Sequence, residues 1–165
     1  MQTRMLTRYK AWANVLTFGA VKALPAGEAT KQRQTRFGNM VHTLNHVYVI
    51  DAIFKAHLLG EAHGYSARNT ESHPSLEVLW ELQQQMDHWY IDYAENIPDK
   101  LLSDQISFQF VGGCEGVMSR EEMIIHVVNH STYHRGFVGD LMYQVPATPP
   151  ANDLPVFLRE VYSSS

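Results

Sequence analysis

Two histidines four residues apart, His130 and His134, carry the clearest chemical signal in the sequence. They lie in the middle of a stripe that recurs every three or four residues, made of Met123, Val127, His130, His134, Phe137 and Leu141. Residues four apart on an α-helix lie one turn apart on the same face, so both imidazole rings can reach one metal ion. Burying two histidines in an apolar stripe is costly unless they gain a partner, and coordination supplies one. The pattern therefore predicts a metal site, with a surface pair of histidines as the alternative.

A third ligand has to come from another helix, because catalytic zinc sites usually combine three protein ligands with one open position. His46 is the best candidate among the nine histidines, since it lies mid-helix on a face with two isoleucines. His42, one turn earlier, is the second choice. The sequence thus predicts that His46, His130 and His134 bind one divalent transition metal ion. Imidazole nitrogen suits several metals, so zinc or nickel is expected first and iron, manganese or copper are alternatives.

The remaining histidines are predicted to have other roles. His126 lies one turn before His130, but a run from 126 to 134 spans about 12 Å along a helix, too far for one ion to bind all three. His126 is therefore expected to be a hydrogen-bonded neighbour of the site. The others are expected on the surface or in ordinary packing contacts: His57, His63, His73 and His88.

Three further side chains are candidates for assisting chemistry at such a site. Asp51 follows His46 on the same predicted helix, Tyr133 precedes His134, and Arg135 could bind an anionic substrate. Each has an equally good structural interpretation: the aspartate orients a histidine, the tyrosine packs, and the arginine pairs with an acid. The roles of these three residues and of His126 stay open at this point.

The histidines have to be positioned by helices, and four segments show helical periodicity, over about 3–23, 37–59, 75–96 and 119–144. In the first segment the predicted buried stripe is Leu6, Tyr9, Ala13, Leu16 and Ala20. Gly60 is placed to end the second segment in the left-handed conformation. The last segment begins with a capping box, in which Ser119 and Glu122 satisfy free backbone N–H groups at the helix start.

Strand periodicity is found in one place, before the last helix. Ile106, Phe108 and Phe110 alternate with polar residues, and Gly112-Gly113 can turn the chain, which predicts a short β-hairpin. The tail beyond Pro146 is predicted to be irregular, with one turn at Val156–Val161. Together these patterns predict an all-α, four-helix-bundle fold, with one domain over residues 1–165.

Composition narrows the function classes. Hydrophobic residues make up 45% and charged residues 18% of the chain, which is typical of a globular protein. No stretch approaches the length of an apolar membrane span, so neither a membrane partner nor a secretory signal is expected. Cys114 is the single cysteine, which excludes an internal disulfide and fits a reducing, cytoplasmic compartment. No flanking pattern marks this cysteine as a nucleophile.

The charge is uneven along the chain. Residues 1–36 contain seven Lys/Arg and one acid, whereas the remainder contains six Lys/Arg and sixteen acids, which gives +6 and −10 and a net charge of −4. Without aromatic interleaving or a recognition-helix pattern, the basic segment is interpreted as a solvated helix face, and no nucleic-acid partner is expected.

Two stretches, TLNHVYVIDAIFKAHLLG (43–60) and HVVNHSTYHRG (126–136), resemble the DinB-like (DinB/YfiT) superfamily, and the similarity extends over nearly the whole chain. The resemblance implies a four-helix bundle in which one histidine of the second helix and two of the last bind a metal. By motif these are His46 in LNH, His130 in NH and His134 in HRG, the residues already selected. In one respect the chain departs from the pattern: Phe137 follows HRG where family members often have Gln, which puts the substrate class in doubt.

The resemblance also implies that the protein forms a homodimer, and that its substrate is a small molecule such as a low-molecular-weight thiol. The family name comes from a DNA-damage-inducible gene and so implies a stress response. Three functions follow from the sequence. The first is a metal-dependent enzyme, a thiol transferase or hydrolase, in which the ion polarises a carbonyl, activates water or holds a thiolate. The second is a non-catalytic metalloprotein in which the ion ties two helices together, and the third is a dimeric scaffold without metal.

Overall fold

A computed structural model describes residues 2–162 and confirms a mostly helical fold. Its elements, in chain order, are α1 (Gln2–Lys22), α2 (Met40–Leu59), α3 (Leu76–Asn96), a 3-10 turn (Asp99–Leu101), β1 (Gln105–Gln109), β2 (Glu115–Ser119), α4 (Arg120–Met142) and α5 (Leu154–Glu160). No helix in the described range is long and apolar enough to cross a membrane.

The four long helices form a ring in which each packs against two others. α1 contacts α3 and α4, and α2 contacts the same two helices, so α1 lies diagonally across from α2. The connections 23–39 and 97–119 therefore cross the bundle diagonals, while the loop 60–75 joins neighbouring helices. Because α2 and α4 are neighbours, residues on their facing sides can meet in the interior.

The helix ends follow from capping side chains. The predicted capping box is present at α4, where the Ser119 hydroxyl accepts from the backbone N–H of Glu122 and the Glu122 carboxylate accepts from that of Ser119. Gly60 ends α2 with φ of 70°, as predicted. The start of α2 differs from the prediction, because the Asn39 side chain accepts from the backbone N–H of His42 and helix begins at Met40. Phe37 is therefore left outside the helix.

The predicted hairpin is confirmed. β1 and β2 are antiparallel, with Gln105 paired to Ser119 and Phe108 paired to Gly116. A Cβ atom at Gly116 would come within 2.7 Å of the Phe108 ring, so the glycine allows this buried phenylalanine to lie flat across the hairpin. The strand pair leads directly into α4 and fixes where that helix starts.

The tail contains α5 at the place where one turn was predicted, but the helix begins at Leu154, two residues earlier than expected, and is seven residues long. Pro155 lies in the first turn of α5, where its missing N–H costs nothing. Phe157 is buried against Tyr9 and Ala13 of α1. The short helix thus covers part of the apolar stripe predicted for α1. Because a helix this short is unstable in isolation, the contact with α1 is what stabilises it.

Candidate metal centre

The three predicted ligands meet in space. His46 comes from the middle of α2, and His130 and His134 come from successive turns of α4. One ring nitrogen from each histidine lies within 4.8 Å of the other two, and this group could hold a metal ion. It is the one such group of histidine, cysteine or acidic side chains found among residues 2–162.

The spacing of the nitrogens suits a small ion. The Nε2 atoms of His46 and His130 are 3.0 Å apart. Two nitrogens on one tetrahedral zinc ion, each 2.0–2.1 Å from it, would be about 3.3 Å apart. The ring centroids of the three histidines are 4.4–4.8 Å from one another. The Nε2 atoms of His46 and His130 therefore need only a small outward movement to share an ion.

The site holds its histidines neutral. Burial, followed by the neighbouring imidazoles of His134 and His46, lowers the pKa of His130 to about 2. Burial and the nearby charge of His46 and Arg36 lower the pKa of His134 to about 4. Burial also lowers the pKa of His46. Near neutral pH the three rings thus keep free lone pairs, which is the form that binds metal.

His46 is oriented by the loop that follows α2. Its Nδ1 donates to the backbone carbonyl of Arg68 at 2.5 Å, which leaves Nε2 unprotonated and turned toward the other two rings. Metal-binding histidines usually carry such a backbone or carboxylate partner on the second nitrogen. The loop is itself fixed to α2, because the Asn45 amide donates to Asn69 at 2.6 Å and to Thr70 at 2.7 Å.

The other two rings lack this second partner. The Nδ1 atoms of His130 and His134 are buried and have no hydrogen-bond partner among the described residues. Buried polar atoms in native proteins are nearly always paired, so an unpaired cluster of this kind needs a reason. A metal ion would account for the convergence of the three rings, although it would occupy only one nitrogen of each ring, which for His130 is the Nε2 that faces His46. The donor set of three nitrogens fits zinc, nickel, copper or iron.

A cavity of about 700 Å³ opens beside the three histidines. Its walls are mainly aliphatic and aromatic, and they include Ile50, Ile53, Phe54, Phe110, Val111 and Phe137. Phe37 stacks on the His46 ring with centroids 4.5 Å apart and forms another part of the wall. This size and lining are typical of sites for small organic molecules.

Other predicted histidines fall outside the group. The second-choice ligand His42 is instead bonded through Nε2 to the Thr70 carbonyl at 2.9 Å. His126 lines the cavity and packs on Phe54 with ring centroids 4.4 Å apart. No side-chain hydrogen bond of His126 occurs within residues 2–162, so it is a packing neighbour of the site and not the predicted hydrogen-bonded one. His57 also lines the cavity, although it was expected on the surface or in an ordinary packing contact.

Of the three candidate helpers, only Tyr133 lies at the cavity. It is 65% exposed, and its ring lies 5.1 Å from that of His134. Asp51 is fully buried and accepts from the Lys10 ammonium at 2.7 Å. Arg135 is buried too, and donates to Asn14 at 3.2 Å and to Ser131. These two residues thus belong to a second polar cluster and do not line the cavity.

The second cluster, which we call the charged network, consists of Lys10, Asn14, Asp51, Gln83, Asp87, Ser131 and Arg135. Lys10 is 1% exposed and lies between Asp51 and Asp87. This contradicts the interpretation of the basic segment as a solvated face, at least for Lys10. Burial disfavours its charge, but the two carboxylates outweigh burial and raise the pKa of Lys10.

Sequence reasoning missed the residues that come to the cavity from loops. Phe37 and Arg36 precede α2, and Arg68 follows it, so no helical or strand periodicity marks them. The polar turn residues around them indicated loops and nothing about where those loops would fold. Both segments return to the His46 side of α2, one by ring stacking and one by the Arg68 carbonyl.

Comparison with known proteins gives a consistent picture. A family model described as the DinB family matches residues 1–162. Protein DinB of Bacillus subtilis (strain 168) is 27% identical over 166 aligned residues, which cover 93% of this chain and 91% of that protein. A crystal structure of a DinB-like protein from Bacillus cereus superposes with a TM-score of 0.64 at 15% identity, covering 85% of this chain and 90% of the other. At that identity the superposition shows a shared fold.

Proposed function

The chain belongs to the DinB family, and from this premise we propose that it binds one divalent transition metal ion through His46, His130 and His134 and acts as a metal-dependent enzyme. Its reaction would be thiol transfer or hydrolysis on a small organic substrate, with a low-molecular-weight thiol as the leading candidate co-substrate. The observation that supports the proposal most is the convergence of three neutral imidazoles on the wall of a cavity. Zinc or nickel is the expected metal, and cytoplasm the expected compartment.

The residues around the site have separable tasks in this proposal. The three histidines hold the ion, and the carbonyl of Arg68 keeps His46 in the tautomer that presents Nε2. When bound, the ion supplies a Lewis acid that can polarise a carbonyl, lower the pKa of water or stabilise a thiolate. The aromatic walls, including Phe37 and Phe137, exclude water from the substrate. Tyr133 stands at the opening, where its hydroxyl can donate to or accept from a ligand.

A non-catalytic metal site is the second candidate, and one observation favours it. The ligands come from two neighbouring helices, α2 and α4, so an ion would cross-link them and stabilise the fold. A purely structural metal ion does not require a cavity of about 700 Å³ beside its ligands, and for that reason we rank this alternative second. A scaffold without metal ranks third, because it leaves three imidazoles of lowered pKa converging on one another with no ion between them.

The test is elemental analysis of protein purified without an affinity tag or chelator. We expect near one metal ion per chain in the parent and none in a His130→Ala/His134→Ala variant. His88→Ala is the matched control, since His88 is an exposed histidine on α3 and should leave the metal content unchanged. Metal-loaded parent protein is then assayed against thiol-conjugation and ester substrates. Full metal content without turnover would favour the second candidate, and absence of metal in all three proteins would favour the third.

A further inference from the structure

The cavity beside the histidines has an asymmetric charge. Two arginines line it, Arg36 from the segment before α2 and Arg68 from the loop after α2. Among the described residues that line the cavity, none is an aspartate or glutamate. The rest of the chain beyond residue 36 carries a net charge of −10, so this is a cationic opening in a largely acidic protein.

Neither arginine has an acidic partner. No salt bridge among residues 2–162 includes the guanidinium of Arg36 or Arg68, whereas other arginines of the chain, such as Arg4 and Arg8, are paired with acids. Arg36 lies over the Phe37 ring, with its guanidinium carbon 5.7 Å from the centroid. Both side chains are exposed, so they lie at the rim of the cavity and not in its depth.

The position of Arg68 is built into the fold. Its backbone carbonyl is held by His46, and the next two residues are held by Asn45 of α2. Arg36 is adjacent to Phe37, which is stacked on His46. Both cations are close enough to His46 to disfavour its protonated form. Two arginine residues are thus brought to the cavity beside His46 by two separate loops.

From this arrangement we propose that the cavity takes an organic anion, with an apolar carbon skeleton inside and one anionic group bound between Arg36 and Arg68 at the rim. Guanidinium groups bind carboxylates through paired charge-assisted hydrogen bonds, which favours them over lysine for such recognition. The walls of Ile50, Ile53, Phe54 and Phe110 match an aliphatic or aromatic skeleton. The inference names the substrate class of the proposed enzyme and rests on that proposed function only for the reaction, not for the binding.

The test compares 4-phenylbutyrate with its neutral amide, 4-phenylbutanamide, by isothermal titration calorimetry. Each ligand is titrated into zinc-loaded and into chelated protein, so that an anion held by the metal is distinguished from one held by arginine. The proteins are the parent, Arg36→Gln/Arg68→Gln and the control Lys100→Gln, which removes an exposed cation remote from the cavity lining. Gln keeps a polar side chain and removes its charge.

We expect the parent and Lys100→Gln to bind the carboxylate about tenfold or more tightly than the amide, in both zinc-loaded and chelated forms. In the double arginine variant the ratio should fall to about one in the chelated protein, while its zinc content stays that of the parent. Equal affinities for acid and amide in the parent would overturn the inference. So would a preference that survives in the double variant and disappears on chelation, since the metal would then be the anion site. Failure of the metal site appears instead as absence of zinc, and leaves the comparison in chelated protein intact.

Discussion

The interior of the bundle contains two polar clusters, and their buried groups differ in the partners they have. In the charged network every ionised group faces one of opposite charge or an amide: Lys10 contacts two carboxylates, and Arg135 contacts Asn14. In the three-histidine cluster His46 donates to the Arg68 carbonyl, but the Nδ1 atoms of His130 and His134 have no hydrogen-bond partner among residues 2–162. The network too has buried atoms without a hydrogen-bond partner among residues 2–162, namely Asp51 Oδ1, Gln83 Oε1 and Arg135 Nε, but its lysine and aspartate charges are paired between the helices, while the histidines face a cavity. This difference supports our proposal that the first cluster is structural and the second binds a metal ion.

The two clusters are also linked to each other. Ser131 follows His130 and Arg135 follows His134, so α4 turns one face to the cavity and the next to the charged network. Asn14 of α1 holds both Ser131, at 3.3 Å, and Arg135. The network therefore fixes the rotation of α4 about its own axis, and with it the direction in which the histidines point.

Breaking the charged network should have the largest effect on stability. Lys10→Met leaves the carboxylates of Asp51 and Asp87 buried without a cation, and loss of one partner of a buried pair costs about 3–5 kcal/mol. Urea denaturation measures this loss as a fall in the free energy of unfolding. Lys22→Met is the matched control, because Lys22 is exposed, and it should change the free energy by less than about 0.5 kcal/mol. A small loss at Lys10 would mean that the network does not stabilise the fold.

Removing the metal should lower the stability of the parent protein, whereas replacing the histidines in metal-free protein should cost little stability. A metal at about one hundred times its dissociation constant stabilises the folded state by about 2.7 kcal/mol. Chelation should therefore lower the melting temperature of the parent by several degrees and leave that of His130→Ala/His134→Ala unchanged. Differential scanning calorimetry with and without chelator measures both. A variant that loses stability in the absence of metal as severely as Lys10→Met would erase the distinction between the clusters.

Acid should destabilise the metal-free protein through the histidines. The folded pKa of His130 is depressed to about 2, so the unfolded chain binds a proton that the folded chain rejects as pH falls below the ordinary histidine value of 6.5. Stability from this group is present above pH 6.5 and is lost below it, by about 1 kcal/mol between pH 6.5 and 5.5. Urea denaturation of chelated protein at both values measures the slope. His130→Ala should show a shallower slope than the parent, and an equal slope would contradict the burial effect on this ring.

The smallest expected effect concerns Ser131, which connects the charged network to the helix that carries His130 and His134. Ser131→Ala removes the two hydrogen bonds of this hydroxyl, to Arg135 and to Asn14, but leaves the arginine bonded to Asn14 and Thr132, so the expected cost is about 1 kcal/mol. Zinc affinity, measured by competition with a chelating dye, should change by less than about threefold. A larger loss of affinity would show that this hydroxyl orients α4 at the histidines, and the two clusters would then act as one unit.

The last helix was predicted well because its chemistry and its periodicity coincide. Its stripe from Met123 to Leu141 contains the histidines, and the capping box marks its start, so local sequence contains both the helix and the site. The other long helices and the hairpin follow from similar local patterns, but which helices would be neighbours does not. His46 was identified because it lies mid-helix on an apolar face, which the structure places opposite α4.

The first helix shows where such reasoning ends. Its predicted stripe is only partly buried, whereas a stripe one residue on is fully buried and largely polar: Thr3, Thr7, Lys10, Asn14, Thr17 and Val21. Apolar periodicity cannot identify a core face whose residues are buried because they pair with other helices. Nor can it place Arg36 and Arg68, whose positions depend on where two loops fold. These features arise from tertiary contacts between distant segments, and local sequence patterns do not identify which distant residue a side chain will contact.

The most direct test of the central claim is the X-ray absorption fine structure of the zinc-loaded protein at the metal edge. Three histidine ligands predict outer-shell scattering from three imidazole rings and a first shell of nitrogen and oxygen only. His46→Ala should reduce the imidazole count to two, while His88→Ala should leave it at three. A first shell containing sulfur, which only Cys114 or a methionine could supply within the chain, or a spectrum with one imidazole or none, would contradict the three-histidine centre.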